Sequence, residues 1–261
     1  MRTASPVTLF CWLAALAAAV HVPASARIVG GNNRAPLPTE LEAPFSGVGR
    51  IVCRDPASGN RFSSTATLVG DRSTLLAVGH FRRTQSPDYK AVIPIDYCAF
   101  ELRSADGTRL FGSMLAPHPV ARFSPREQPS PLTPDWAILK LRTPAPESVL
   151  PARVQPMKAD ELARRSDAFL VGYHSFPEEA ANRKQHSPQC KPLAVRDAPL
   201  VFSHSCDTEL GSSGGLVYVN TPQGPRAVGM NHGSAIERNY GQIIGGELLR
   251  HLPKEAVAGS R

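Results

Sequence analysis

Cysteine is scarce, with five in 261 residues, and neither a CxxC pair nor an HExxH stretch occurs. Those spacings carry most structural and catalytic zinc sites, so no metal site is supported, and no motif for an organic cofactor appears. Basic residues are not concentrated either. The 29 Lys and Arg stand against 22 Asp and Glu, scattered along the chain, for a net charge of +7. A nucleic-acid binder wants a basic stripe or a known motif, and neither is present. Long periodic segments are also few, there is no internal repeat, and only the N-terminus has an apolar run of any length. That excludes helical bundles, solenoids and polytopic membrane proteins.

What is present begins with an export signal. Arg2 supplies a positive start, Val7 to Val20 is apolar, and Ala24-Ser25-Ala26 has the small-x-small form cut by signal peptidase. The apolar run is shorter than the roughly 20 residues of a membrane span, so residues 1–26 read as a cleaved leader and no stable membrane anchor is expected. The mature chain would start at Arg27, in the periplasm or outside the cell. It keeps Cys53, Cys98, Cys190 and Cys206, an even count that suits two disulfides in an oxidising compartment. Of the three possible pairings, Cys190 with Cys206 is favoured, and Cys53 with Cys98 follows by exclusion. A monomer is the favoured state.

The 25 prolines and 20 glycines interrupt nearly every apolar run. The runs that remain are short and rich in β-branched residues: Thr65 to Val69, Ser73 to Val78, Trp136 to Leu141, Ala168 to Tyr173, Gly215 to Val219, and Ala227 to Met230. Each fits a strand bounded by turns, and many such strands indicate an all-β sandwich or barrel. Short helices are expected within Met157–Arg165 and Gly246–Leu252. Pro117 to Pro134 reads as a long surface loop. Thr143 to Pro156 reads as the link between two halves, 27–148 and 149–261.

Three separated segments each carry a residue type that acyl transfer needs. Gly211-Ser-Ser-Gly-Gly215 is a glycine-rich turn entering an apolar strand, and its glycines let backbone amides approach a substrate carbonyl. Asp135 opens the apolar run Trp136 to Leu141, where a buried carboxylate needs a partner such as a histidine N–H. His80 ends the apolar run Leu75-Leu-Ala-Val-Gly-His80. Their order, His80, Asp135, Ser213, is that of the chymotrypsin arrangement and not of subtilisins or α/β-hydrolases.

On these motifs the chain, from about Ile28 to Leu249, resembles the trypsin-like serine peptidases. Cys206-Asp-Thr208 is similar to the bacterial, glutamyl-endopeptidase-like branch. The resemblance implies two perpendicular six-stranded antiparallel β-barrels and a short C-terminal helix. It implies secreted endopeptidase activity on protein or peptide substrates. His80, Asp135 and Ser213 would form the triad, and the N–H groups of Gly211 and Ser213 the oxyanion hole. Asp207, six residues before Ser213, stands where trypsin places its specificity carboxylate. Asn231 and His232 follow Val228-Gly-Met230, near where glutamyl-specific relatives place a histidine. A basic or neutral P1 residue is expected.

Two departures stand out. The family's Thr-Ala-Ala-His-Cys is here Leu76-Ala-Val-Gly-His80 followed by Phe81, without the bracing cysteine. Arg27-Ile28-Val-Gly-Gly31 looks like an activation site, yet the residue beside the nucleophile is the uncharged Ser212 instead of an aspartate. Trypsin-type activation is therefore not expected, unless the amine finds another partner. The alternative to an active enzyme is a trypsin-like fold that binds partners without turnover. An esterase is disfavoured, since the serine is not in a strand–GxSxG–helix elbow.

Overall fold

The computed structural model describes residues 28–29, 31–83, 92–117, 119–122, 131–175, 181–235 and 238–257. The leader, Arg27 and part of the 117–134 loop fall outside them. The described chain is all-β, in two antiparallel sheets. The first sheet contains β2 (Val48–Arg54), β3 (Arg61–Leu68), β4 (Thr74–Ala77), β5 (Cys98–Arg103), β6 (Arg109–Met114), β7 (Val120–Arg122) and β8 (Trp136–Lys140), in the order β6-β5-β2-β3-β4-β8-β7. The second contains β1 (Ala35–Pro36), β9 (Phe169–Gly172), β10 (Gln185–Ser187), β11 (Pro192–Ala194), β12 (Val201–His204), β13 (Leu216–Val219), β14 (Arg226–Ala235) and β15 (Arg238–Ile243). Its order is β1-β10-β9-β13-β14-β15-β12-β11. The expected six strands become seven and eight once the two- and three-residue edge strands are included. Among the described residues α-helix is confined to α1 (Ala159–Leu162) and α2 (Gly246–Arg250), each inside its expected segment.

All six apolar runs singled out in the sequence lie in strands. The 117–134 region departs from a plain loop, because Val120–Arg122 pairs with β8 as an edge strand. Ala35–Pro36 also joins the second sheet through β10, so the start of the chain crosses to the far half. The segment 143–156 is tied to both halves. Ala152 N–H donates to Leu68 O at 2.7 Å, and Gln155 N–H to Ala227 O at 2.9 Å.

The largest apolar cluster runs through both sheets, joining Leu68, Leu75, Phe100 and Trp136 of the first to Val171, Leu216 and Met230 of the second. A smaller one lies within the second half around Leu170, Phe202, Val217 and Val228. Phe45 meets Tyr218 edge-on at 5.0 Å between ring centres. β3 shows how the halves meet: its first residues are exposed or half-buried, and Ser64 to Leu68 are wholly buried. One face of that end packs in the first core, and the other abuts the Gly211–Gly215 turn. Disulfides join Cys53 to Cys98 between neighbouring strands β2 and β5, and Cys190 to Cys206 just beyond the paired ends of β11 and β12.

Candidate active site

Strand register brings His80 and Asp135 together. β4 and β8 are antiparallel neighbours with Ala77 opposite Ala137. Three residues past Ala77 and two before Ala137 therefore fall at the same end of the sheet. There β4 runs into a 3-10 turn, Gly79–Arg82, that carries His80. Asp135 accepts two hydrogen bonds from this one residue. The His80 backbone N–H reaches Oδ1 at 3.0 Å, and the ring Nδ1–H donates to Oδ2. That bond fixes the tautomer, leaving Nε2 bare to accept a proton. The Asp135 side chain is 7% exposed, whereas that of His80 is 24% exposed. Burial works to raise the Asp135 carboxyl, but the charge and hydrogen bonds of His80, with a smaller contribution from His232, hold it below its ordinary range. The second half completes the support, since Asp135 N–H donates to Gln242 Oε1 at 2.9 Å.

The Gly211–Gly215 turn is held against the same sheet. Thr65 N–H donates to both Gly211 O and Ser213 O at 2.9 Å, and Thr65 Oγ1 donates to Gly211 O at 2.9 Å. Gly211 and Gly214 have φ of +93° and +90°, a region where a side chain is strained. Gly214 is also a close approach: a Cβ there would lie 2.0 Å from Thr65 O and 3.5 Å from Val78 N, two residues before His80. Within the turn the N–H groups of Ser212, Gly214 and Gly215 donate to Glu209, Asn231 and Ser212 carbonyls. Those of Gly211 and Ser213 have no acceptor among the described residues. Two open amides, one of them the serine's own, are what an oxyanion hole needs.

Behind the turn lies a buried polar chain that the sequence did not signal. Asn231, on β14, is 2% exposed. Its backbone pairs with Gly214 and Gly215, and its side-chain Nδ2 donates to Ser212 O at 3.1 Å and Ser212 Oγ at 3.2 Å. Its Oδ1 accepts from Nε2–H of His204, a fully buried imidazole on β12, at 3.2 Å. Burial holds His204 down at about 3, so the chain is neutral. It packs against Ser212, the residue that stands where the family's activation aspartate is expected. Gln242, Thr65 and His204 carried no motif; only strand pairing across the sheets reveals them.

The three expected specificity residues are all buried and make the following contacts. Asp207 is fully buried, and its two oxygens accept the Val29 N–H at 2.7 Å and the Asn33 N–H at 2.8 Å. It anchors the segment 29–33, and the two close backbone amides satisfy the carboxylate that burial would otherwise leave bare. Asn231 points inward to Ser212. His232 is 4% exposed, and its Nε2–H donates to Pro131 O at 2.9 Å, bracing the segment that leads to Asp135.

No family model matches this chain, and no curated protein matches it in sequence. Solved structures do match in fold. A structure titled as a Glu endopeptidase in complex with MPD superposes with a TM-score of 0.64 at 13% identity, covering 85% of this chain and 96% of its own. The protease Anisep from Arthrobacter nicotinovorans gives 0.57 at 17% identity, covering 82% and 97%. This chain has the trypsin-like serine protease fold. A thermostable serine protease, AL20, from an extremophilic microorganism agrees, at 0.53 and 14% identity over 78% and 93% of the two chains. At such identities the likeness to these trypsin-like proteases is one of architecture, and the chemistry rests on the residues described above.

Proposed function

We propose that this chain is a secreted serine endopeptidase acting through Ser213, His80 and Asp135. The observation that carries the reading is the two-point grip of Asp135 on His80, which orients the ring and leaves Nε2 as the base. Ser213 Oγ attacks the scissile carbonyl as His80 Nε2 takes its proton. The carbonyl oxygen becomes an oxyanion facing the open N–H groups of Gly211 and Ser213, each such donor contributing about 2.7–4 kcal/mol to the transition state. His80 then returns the proton to the leaving amine as the C–N bond breaks, and water hydrolyses the acyl-enzyme by the reverse assignments. Asp135 stabilises the imidazolium through its negative charge. The two disulfides fit an oxidising compartment outside the cytoplasm. With Asp207 committed to the N-terminal segment, selectivity for Lys or Arg at P1 lacks its carboxylate, so a neutral P1 residue is the better reading.

The test is labelling of the purified mature chain with a serine-directed phosphonate, together with cleavage of a peptide library, beside Ser213→Ala. Label on Ser213 and turnover absent from the variant is the expected result. A folded chain showing neither would refute the reading and leave a binding module.

A further inference from the structure

The outward face of the first sheet carries a concentration of arginine unrelated to the triad. Arg50 and Arg54 on β2, Arg61 on β3, Arg103 on β5 and Arg109 on β6 surround a single carboxylate, Glu101. Glu101 is already satisfied: it pairs with Arg50, with Arg103 at 3.1 Å and with Arg109 at 3.7 Å. Five guanidinium groups against one carboxylate leave a surplus of four positive charges. Asp55, in the turn after β2, adds one negative charge nearby but makes no ion pair with these arginines among the described residues; its oxygens accept from Ala57 N–H and Ser58 Oγ–H.

Two features set this face apart from an ordinary solvated surface. Arg54 and Arg61 are directly opposite each other in the β2–β3 register, a like-charge cross-strand pair that destabilises a sheet. Neither has an ion-pair partner among the described residues. Secondly, Gly112 leaves room for Arg109: a Cβ at that glycine would lie 1.8 Å from Arg109 Nη2. The Arg109 guanidinium thus lies back over its own strand toward Glu101. Together Arg54, Arg61, Arg109 and Glu101, with Val52 and Tyr97, line an open concavity of about 490 Å³.

We propose that this concavity is a docking surface for an acidic polypeptide segment of the substrate; its role, though not the binding itself, rests on the peptidase reading. From β3 to β6 it spans three strand spacings, about 14 Å, which an extended peptide of four or five residues crosses. Carboxylates on that peptide meet the unpaired guanidinium groups, and Val52, Ala99 and Tyr97 offer apolar contact between them. A patch this short, with one exposed aromatic side chain, suits a peptide better than the basic stripe that a nucleic-acid backbone follows. The surface also adjoins the strand that holds the serine turn. Arg50 is the cross-strand partner of Thr65, whose N–H holds the Gly211 and Ser213 carbonyls, so the patch begins one strand away from the nucleophile turn.

The test uses the full mature chain bearing Ser213→Ala, with fluorescently labelled octaglutamate and octaglutamine followed by anisotropy. Octaglutamate should bind, weakening steeply as salt rises, and octaglutamine should not. Arg54→Glu with Arg61→Glu should weaken binding about tenfold or more, with the melting midpoint unchanged or raised when the pair is instead made Ala. Gly112→Leu, which displaces Arg109, should weaken it less. Absence of octaglutamate binding at low salt, or binding indifferent to these substitutions, overturns the proposal. So does tighter binding of an oligothymidylate or of anionic vesicles to the same residues. Phosphonate labelling of the Ser213 chain is scored separately, so the docking surface and the catalytic reading can fail independently.

Discussion

Replacing Asn231 by leucine exchanges a buried side chain directed at Ser212 for an apolar one of similar size. The backbone bonds of residue 231 to Gly214 and Gly215, both 2.8 Å, are retained. What is lost is the side-chain link, and the losses are unequal. Ser212 O keeps the Gly215 N–H at 2.8 Å, so it stays satisfied. Ser212 Oγ and His204 Nε2–H lose Asn231 in a region with no exposure. Each orphaned buried group costs about 1–3 kcal/mol, so a destabilisation of about 2–5 kcal/mol is expected after part is recovered from the apolar leucine. The turn carrying Ser213 loosens with it, and kcat/KM should fall more than KM rises. Urea unfolding and steady-state kinetics read the two effects. Ser212→Ala in the same background removes one orphan and should recover about 1 kcal/mol, giving a coupling well above the roughly 0.5 kcal/mol scatter of independent sites. A change below about 0.5 kcal/mol for Asn231→Leu, or strict additivity with Ser212→Ala, would refute the network.

Gly214→Ala tests the close approach at the nucleophile. A φ of +90° and a Cβ 2.0 Å from Thr65 O together should cost about 2–5 kcal/mol and displace Ser213, seen as a lowered melting midpoint and loss of phosphonate labelling. Acid should destabilise the fold in a defined window. Burial holds His174 and His204 at about 3, against an ordinary 6.5 when unfolded, so between those values the unfolded chain binds more protons. Stability is then full above pH 6.5 and falls as pH drops toward 3, by up to about 1.4 kcal/mol per pH unit per histidine; a flat urea midpoint from pH 7 to 4.5 would contradict this. Asp207→Ala should release the N-terminal segment, costing about 2–4 kcal/mol from two charge-assisted bonds and speeding hydrogen exchange at Val29 and Asn33. If it instead abolished cleavage after Lys or Arg while stability held, Asp207 would be a pocket residue after all.

The strands that carry the site were legible because their signals are local. Leu75 to Val78 and Trp136 to Leu141 are short apolar runs buried on both faces, and they are the neighbouring strands β4 and β8. The glycines of the nucleophile turn were legible for the same reason, since only glycine suits two positive φ values around a serine. Strands such as β15, Arg-Asn-Tyr-Gly-Gln-Ile, carry no comparable pattern. Their polar side chains are buried against other polar groups, as Gln242 is against Asp135, so hydrophobic periodicity misses them.

Asp207, Asn231 and His232 mark the limit of that reading. Distance along the chain from Ser213 placed them near a specificity pocket, but the direction of a side chain depends on strand pairing and on what else is buried beside it. Residue types, their order and the short apolar runs were determined by the sequence alone, because each rests on contacts within a few positions. The tertiary structure decided which groups satisfy the buried carboxylates and carbonyls. Asp135 found His80 55 residues away, and Asp207 found Val29 178 residues away. A buried polar atom takes the partner that packing brings within about 3 Å, and no local pattern encodes that partner.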